Sequence, residues 1–207
     1  MKTVEQNARY IIECLFDEGH VAFYAGGWVR DFLMGTPSDD IDIATSAKPE
    51  EIQELFPKTI AVGAAFGVIV VVVEDHQFEV ATFRSDDCYV DGRKPESVTF
   101  STPRKDVARR DFTINGMYYD PIYERVHDFI DGQKDLKKKL IRAIGDADAR
   151  FEEDRLRMIR AVRFSTRFGF SLEEETKNAI EKHAPTLKPS VSVERIWQEC
   201  VKMIKYD

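Results

Sequence analysis

The hydrophobic pattern switches repeatedly between helical and strand-like periodicity over the first two thirds of the chain. Apolar residues at helical spacing predict an amphipathic helix over residues 3–18. Short apolar runs bounded by turn residues predict strands, and the segments between them predict further helices. The predicted strands are 21–25, 41–44, 68–74, 78–84 and 116–119, and the predicted helices between them are 28–34 and 49–56. Residues 85–100 are polar and predict a flexible loop.

From about residue 146 the pattern is helical. Helices are predicted over 147–168 and 172–183, and a third begins near Ser192, whose hydroxyl can cap it. The sequence therefore predicts an α+β fold, with a mixed-sheet head domain of residues 1–145 followed by an all-helical neck of residues 146–207. Because the sequence stops inside the last predicted helix, we expect further segments, a body and a tail, to be absent from this chain.

Composition and charge exclude some classes of protein for this chain. A chain of 207 residues with 43% hydrophobic content can form one sizeable core and a small second unit. The longest apolar run, 68–73, is far too short to span a bilayer, and the first residues contain no signal-peptide apolar region. The net charge of -7 argues against nucleic acid covering the whole surface, but local basic tracks occur at 104–110 and 134–142. The three cysteines are isolated and form no metal-type pair, which indicates reduced thiols in a cytoplasmic protein. The four histidines are scattered without metal-ligand spacing, so we expect none of them to bind a metal.

One segment combines the features of a phosphate site and a metal site. Glycines 26 and 27, at a predicted strand-to-helix turn, allow the backbone to approach a phosphate, and Arg30 in the following helix can add bidentate phosphate contacts. Asp40 and Asp42 lie two apart on a predicted strand, so both carboxylates project from one face. Two like charges so close favour a bound cation, and carboxylates suit Mg²⁺. A glycine turn beside a solvated acidic strand end is the weaker interpretation, because all these features occur in order.

A second candidate is a charged row on the predicted helix 147–168. Residues 154, 157, 160 and 163 step by three and form an oblique row along one side of that helix. Arg157, Arg160 and Arg163 are like charges in adjacent turns, which destabilise a helix unless an anion compensates them. A triphosphate is such an anion. The alternative is a solvated charged face.

Four motifs occur in order along the chain. They are Gly-Gly-x-Val-Arg-Asp-x-Leu-x-Gly at 26–35 with Asp-x-Asp at 40–42, Arg-Arg-Asp-Phe-Thr-Ile-Asn-Gly at 109–116, the helix at 153–164, and Val-Glu-Arg at 193–195. Together they resemble the motifs of class II tRNA nucleotidyltransferases and bacterial poly(A) polymerases. The resemblance extends over nearly the whole chain, and Gly116 departs mildly from the usual alanine.

The resemblance implies a nucleotidyltransferase-type head, Mg²⁺, and a nucleotide-recognition helix in the neck. The roles that it implies are catalysis and metal binding for Asp40 and Asp42, phosphate contacts for Gly27 and Arg30, a ribose contact for Arg110 and Asp111, base reading for Asp154 and Arg157, and triphosphate neutralisation for Arg160 and Arg163. Glu79 is a further candidate carboxylate that can equally be an edge-strand glutamate. Glu194 and Arg195 are interpreted as a structural pair at a helix start.

Members of this family differ in the nucleotides that they add. The loop 89–98 and the segment 62–67 resemble the branch that adds CMP and AMP from CTP and ATP to the 3′ end of tRNA, whereas residues 114–119 resemble poly(A) polymerases. The resemblance therefore favours CCA addition, with an A-adding enzyme or a poly(A) polymerase as alternatives. An RNA-binding module that keeps only the fold is the non-enzymatic alternative, and the intact Asp40 and Asp42 argue against it. The sequence identifies no protein partner.

Overall fold

The computed structural model describes residues 2–36, 38–86 and 98–204. The helices in these ranges are α1 (Val4–Asp17), α2 (Gly27–Leu33), α3 (Pro49–Leu55), α4 (Pro103–Ala108), α5 (Gly132–Lys138), α6 (Ala147–Glu153), α7 (Leu156–Phe168), α8 (Glu174–His183), α9 (Leu187–Ser190) and α10 (Val193–Ile204). The strands are β1 (Ala22–Ala25), β2 (Asp42–Thr45), β3 (Thr59–Gly63), β4 (Val68–Val73), β5 (His76–Thr82), β6 (Arg84–Asp86), β7 (Val98–Phe100), β8 (Tyr118–Asp120), β9 (Arg125–His127), β10 (Leu140–Ile141) and β11 (Ser171–Leu172).

A mixed sheet organises the first part of the molecule. Among the described residues, seven strands pair in the order β3-β4-β5-β2-β1-β8-β9, and β2 runs parallel to β5 but antiparallel to β1. Ala25 at the end of β1 pairs with Asp42 at the start of β2, and Ile43 pairs with Val80 of β5. The turn after β1, Asp42 at the start of β2, and Glu79 of β5 therefore lie close together at one end of the central strands.

Three apolar clusters hold the elements together. Burial of each large apolar side chain contributes roughly 1.5–3 kcal/mol before the cost of ordering the chain. The first cluster packs α1 and α2 on the sheet, the second joins residues 112–114 and 141 to α6, α7 and α8, and the third lies between β1 and α4. Because the second cluster includes residues on both sides of position 145, the two parts share a core.

The α+β prediction is confirmed, and most element boundaries lie within two residues of those predicted. One difference is a short parallel pairing between β10 and β11, which places a strand in the otherwise helical neck. The division into 1–145 and 146–207 stays a prediction. Strands β3 and β9 were not predicted. Residues 85 and 86 and 98–100 form part of an antiparallel pair, while the remainder of the predicted flexible loop, 87–97, lies outside the described residues.

Two predictions about local geometry are wrong. The single helix expected over 147–168 is broken between α6 and α7, because Asp154 adopts extended backbone angles (φ −149°, ψ 106°) and its Oδ1 accepts a hydrogen bond from the Leu156 amide at 3.0 Å. An aspartate that caps the following helix in this way interrupts the preceding one. Asp40 does not share a strand with Asp42, because β2 begins only at Asp42.

In the described parts of the chain, no helix combines the length and the apolar character needed to cross a membrane.

Candidate active site

A cavity of about 400 Å³ opens at the edge of the sheet where β1 ends and β2 begins. Six arginines and three aspartates occur among its lining residues, so its surface favours anions although the whole chain carries a net charge of -7. The lining residues are Gly26, Gly27, Arg30, Asp42, Arg109, Arg110, Asp111, Asn115, Asp154, Leu156, Arg157, Arg160, Phe164 and Arg195.

The turn after β1 requires glycine at its first position. Gly26 has φ +67° and ψ −126°, a region that other residues enter only with strain. A Cβ atom built on Gly26 would lie 3.3 Å from Nη1 of Arg110. The Gly26 amide donates to the Met117 carbonyl oxygen at 3.2 Å, which joins this turn to the start of β8. The glycine pair therefore brings α2 close to Arg110 and leaves the backbone of the turn facing the cavity.

Asp42 lies beside two other carboxylates. Its side chain is accessible to solvent, but it stands in a concave surface where protein atoms replace part of its hydration. Desolvation, followed by the negative charges of Asp40 and Glu79, raises the pKa of Asp42 to about 6, against the opposing effect of Arg110. The register of β2 and β5 places Glu79 next to Asp42 on the same face. This concentration of negative charge is the electrostatic condition under which a cation binds.

The acidic group fits Mg²⁺ that binds together with a nucleotide. Within the described ranges, no three His, Cys, Asp or Glu side chains stand close enough to hold a metal ion by themselves. Magnesium at nucleotide sites takes one or two carboxylates and completes its coordination with phosphate and water. Asp42 and Asp40 meet that requirement, and Glu79 supplies a third negative charge nearby.

Asp106 holds two arginines beside the cavity and was not predicted from the sequence. Its side chain is 1% exposed and accepts from Nε of Arg109 at 2.9 Å, from Nη2 of Arg110 at 3.1 Å and from the Tyr118 hydroxyl at 2.5 Å. Burial by itself raises the pKa of Asp106, but the charges of Arg110 and Arg109, together with the hydrogen bonds from Tyr118 and Arg109, lower it by more, so the pKa lies below its ordinary value. Asp106 therefore stays ionised and orients Arg110.

Replacement of Asp106 by alanine is expected to destabilise the fold by roughly 3–5 kcal/mol, because Arg110 and Arg109 lose a buried partner. Since the folded-state pKa is depressed, the ionised carboxylate stabilises the protein above about pH 4, the ordinary pKa of aspartate, and this contribution disappears as the pH falls further. Urea unfolding between pH 7 and pH 3 should show a flatter pH dependence in the variant. Glu13→Ala, which removes an exposed ion pair with Arg9, should change stability by less than about 1 kcal/mol. Equal effects of the two changes would contradict this assignment.

Arg30 lines the cavity, but its guanidinium makes internal contacts. Its Nε and Nη2 donate to the two carboxylate oxygens of Asp31 at 2.8 and 2.9 Å, and its Nη1 donates to Oδ1 of Asn115 at 2.5 Å. It also stacks against Phe168, 4.6 Å from the ring centre. The bidentate contact expected with a phosphate is thus made with Asp31 instead. A phosphate contact by Arg30 stays a prediction that depends on its two remaining N–H groups.

Asp111 connects the segment 111–115 to helix α7. Its Oδ1 accepts from the Phe112 amide at 2.7 Å and from Nδ2 of Asn115 at 3.2 Å, and its Oδ2 accepts from Nε and Nη2 of Arg160 at 2.9 and 2.5 Å. Burial raises the pKa of Asp111, but Arg160 and these hydrogen bonds lower it by more. A carboxylate has about four acceptor positions, and all of them are used here. The observed contacts make Asp111 a support for Arg160, and its ribose contact stays a prediction.

Asp154 and Arg157 stand at the junction of α6 and α7 with free hydrogen-bonding positions. Arg157 donates from Nη1 to Oε2 of Glu153 at 2.6 Å and to the Arg150 carbonyl at 3.0 Å, and from Nη2 to the Arg109 carbonyl at 3.0 Å. Three of its five donors are thereby used, which leaves two for a ligand. Asp154 accepts two hydrogen bonds and retains two acceptor positions. A donor pair and an acceptor pair therefore remain at the same end of the cavity.

The argument that the arginine row requires a bound triphosphate is wrong. Each arginine already has a carboxylate partner: Arg157 pairs with Glu153, Arg160 with Asp111, and Arg163 with Glu199 at 2.6 Å. Arg163 is buried in this pair and does not line the cavity, because α10 covers its side of α7. Asp154 does not belong to the helical row, since it precedes α7.

Eight of the ten predicted site residues line the cavity, and Asp40 and Arg163 do not. Asp40 acts on the site through its charge beside Asp42. Asn115, Arg109, Phe164 and Arg195 line the cavity without having been predicted as site residues. Asn115 and Arg109 lie inside the second motif, so the motif itself was the signal that could have identified them. Arg195 was interpreted as structural. It lies in the first turn of α10, in keeping with that interpretation, and its side chain also lines the cavity.

Comparison with known proteins agrees with this geometry. Residues 22–142 match the family described as the Poly A polymerase head domain. The chain belongs to this poly(A) polymerase head-domain family. Residues 169–207 match a second family, described as "Probable RNA and SrmB- binding site of polymerase A". The family resemblance noted from the four motifs is thereby confirmed.

Relatives of this family member include CCA-adding enzymes. The CCA-adding enzyme of Geobacillus thermodenitrificans is 49% identical over 205 residues, which cover 99% of this chain and 50% of that enzyme. The crystal structure of the Bacillus stearothermophilus CCA-adding enzyme in complex with CTP superposes with a TM-score of 0.88 at 43% identity, covering 99% of this chain and 49% of that one. The Thermotoga maritima CCA-adding enzyme complexed with tRNA superposes at 0.79 with 28% identity, covering 96% and 46%. The chain thus spans about half the length of the relatives that it matches.

Proposed function

We propose that this protein adds CMP and AMP from CTP and ATP to the 3′ end of tRNA by magnesium-dependent nucleotidyl transfer. The observation that carries the proposal is that one cavity joins the metal-type carboxylate Asp42 to the pair formed by Asp154 and Arg157. The similarity to CCA-adding enzymes, including structures with CTP and with tRNA, supports the same activity. A tRNA-processing role is in keeping with a cytoplasmic location.

The metal chemistry belongs at the acidic end of the cavity. Asp40 and Asp42 would hold Mg²⁺, which when bound activates an attacking hydroxyl and stabilises a leaving pyrophosphate. The residues around them would bind and orient the nucleotide. Gly27 opens the backbone to the phosphates, while Arg110 and Arg160, each held by a carboxylate, supply positive charge. Phosphoryl-type transfer depends chiefly on positioning and charge neutralisation, and this arrangement provides both.

The hydrogen-bond inventory at the other end explains a choice of cytosine and adenine. An ionised Asp154 only accepts, and Arg157 only donates. Cytosine and adenine both present an amino donor beside a ring acceptor, which matches this pair. Uracil and guanine present a carbonyl acceptor beside a ring N–H donor, so they would leave buried polar groups unpaired at roughly 1–3 kcal/mol each. The protein can therefore select nucleotides without a nucleic-acid template.

Incubation of the protein with Mg²⁺ and tRNA that lacks its 3′ end tests the proposal. CTP alone should add cytidines only, CTP with ATP should complete the CCA end, and UTP and GTP should be poor substrates. Sequencing of the product ends reads this directly. Long adenosine tails would instead identify a poly(A) polymerase. No addition of cytidine to the shortened tRNA, together with addition of a single adenosine to tRNA that already ends in CC, would identify an A-adding enzyme. RNA binding without any transfer would support the non-enzymatic alternative.

A further inference from the structure

Helix α10 brings an arginine from far along the chain to the proposed base-reading carboxylate. Nη2 of Arg195 donates to Oδ2 of Asp154 at 2.8 Å, across 41 positions of sequence. The two side chains are only 18% and 16% exposed, and both line the cavity. A sheltered, charge-assisted hydrogen bond is stronger and shorter than one between neutral groups in water. Arg195 is therefore part of the wall that a base would meet.

A buried ion pair fixes where Arg195 stands. Glu199 lies four residues after Arg195, on the same side of α10, and accepts from Nε of Arg163 at 2.6 Å. The side chains of Glu199 and Arg163 are 5% and 7% exposed, so this contact anchors α10 on α7. One turn before the anchor, Arg195 is held against the residues that precede α7. Its position is thus set by helix packing.

Asp154 depends on that contact for its orientation. Its backbone is extended and lies in the break between two helices, so no helical side-chain packing restrains the carboxylate. Two donors restrain it from different directions: the Leu156 amide on Oδ1 at 3.0 Å, and Arg195 on Oδ2. With both donors present the plane of the carboxylate is fixed. Without Arg195 a single hydrogen bond remains, and the carboxylate can rotate about it.

We infer that Arg195 is a positioning residue for base choice, which holds the Asp154 carboxylate so that its free acceptor positions face the amino group of cytosine or adenine. The inference rests on the proposed function. A carboxylate that rotates no longer opposes the carbonyl oxygen of uracil or guanine at a fixed place, so the wrong bases are rejected less strongly. Because Arg195 belongs to α10 and Asp154 precedes α7, the packing of these helices also sets the selectivity of the site.

The test compares kcat/KM for all four nucleoside triphosphates in matched variants. In Arg195→Met, incorporation of UTP and GTP relative to CTP and ATP should rise by about tenfold, the effect of roughly one lost hydrogen bond. Arg195→Lys, which restores a charged donor, should recover part of the discrimination. Lys202→Met removes another positive charge from α10, that of a side chain that is 55% exposed and lies 3.5 Å from the buried Glu199, and should leave the ratio unchanged because Arg163 still anchors Glu199. Arg195→Gln, measured alongside, guards against a folding defect in Arg195→Met.

A double variant separates positioning from a general structural role. If Arg195 acts through Asp154, then Arg195→Met combined with Asp154→Ala should discriminate no worse than Asp154→Ala alone. Additive losses would overturn the inference, because Arg195 would then act independently of Asp154. An equal slowing of all four nucleotides in Arg195→Met, with an unchanged ratio, would also overturn it and would show that Arg195 only starts the helix. Failure of the proposed function has a different signature, because the unmodified protein would then show no preference for CTP and ATP. That result would overturn the proposed function and the inference together.

Discussion

The Asp42→Asn variant is expected to lose nucleotide transfer by at least about a hundredfold to a thousandfold, the scale of removing one contact to developing charge in an active site. The change keeps the shape of the side chain but removes a charge that would hold Mg²⁺ against the nucleotide. It also removes the desolvation cost of the charged Asp42 and its repulsion by Asp40 and Glu79, which are the causes of the raised pKa of Asp42. The melting temperature should therefore be unchanged or slightly higher while activity disappears. Activity on tRNA and thermal unfolding measure the two effects separately.

Asp39→Asn provides the matched control for this variant. Asp39 is exposed, lies three positions before Asp42 and is absent from the cavity lining. Its replacement should leave transfer within about twofold of the unmodified protein, since a solvated surface charge acts weakly at a distance. Asp40→Asn should behave like Asp42→Asn, because the metal site is proposed to need both charges. Near-normal turnover by either active-site variant at saturating Mg²⁺ would show that the metal binds elsewhere.

The second large effect is expected in base selection. Asp154→Ala and Arg157→Ala should each reduce the preference for CTP and ATP over UTP and GTP by about tenfold to a hundredfold, because each removes one half of the hydrogen-bonding pair. Loss of Asp154 removes the acceptor that rejects a carbonyl oxygen. Loss of Arg157 also frees Glu153 and weakens the junction of α6 and α7. The comparison uses kcat/KM for each nucleotide with the same tRNA.

Glu152→Ala is the control for base selection, since it removes an exposed carboxylate of α6 only two positions before Asp154. It should leave discrimination unchanged. If Asp154→Ala and Arg157→Ala both discriminate as well as the unmodified protein, the base is read by other groups. The charged residues of α7 would then be explained by their internal carboxylate partners alone.

Short-range patterns in the sequence were sufficient for most of the fold and for much of the candidate site. Helical and strand periodicity located α1, β1, β2, β4 and β5, because each of these buries one face or run against the same core. The glycine pair marked the turn at Gly26, since a positive φ there requires glycine. The spacing of Asp40 and Asp42 indicated a shared acidic site, although Asp40 precedes the strand. These features depend on neighbours within a few positions, which a sequence displays directly.

Only the tertiary structure decided what the charged side chains contact. Arg30 meets Asn115 across 85 positions, Arg160 meets Asp111 across 49, and Arg195 meets Asp154 across 41. Local sequence patterns indicated a phosphate contact for Arg30, a bound anion or solvent for Arg160, and a structural role for Arg195. None of these patterns indicated the partner that each arginine has in the structure. The break at Asp154 was not predicted from the apolar periodicity, because the apolar residues on both sides of it are spaced as in a single helix. The break depends on the Asp154 side chain, which caps the following helix. The sequence by itself determined which chemical groups are present and their local geometry. The partner of each buried charge depends on the packing of elements that are distant in sequence, because that packing excludes water from between the charged groups.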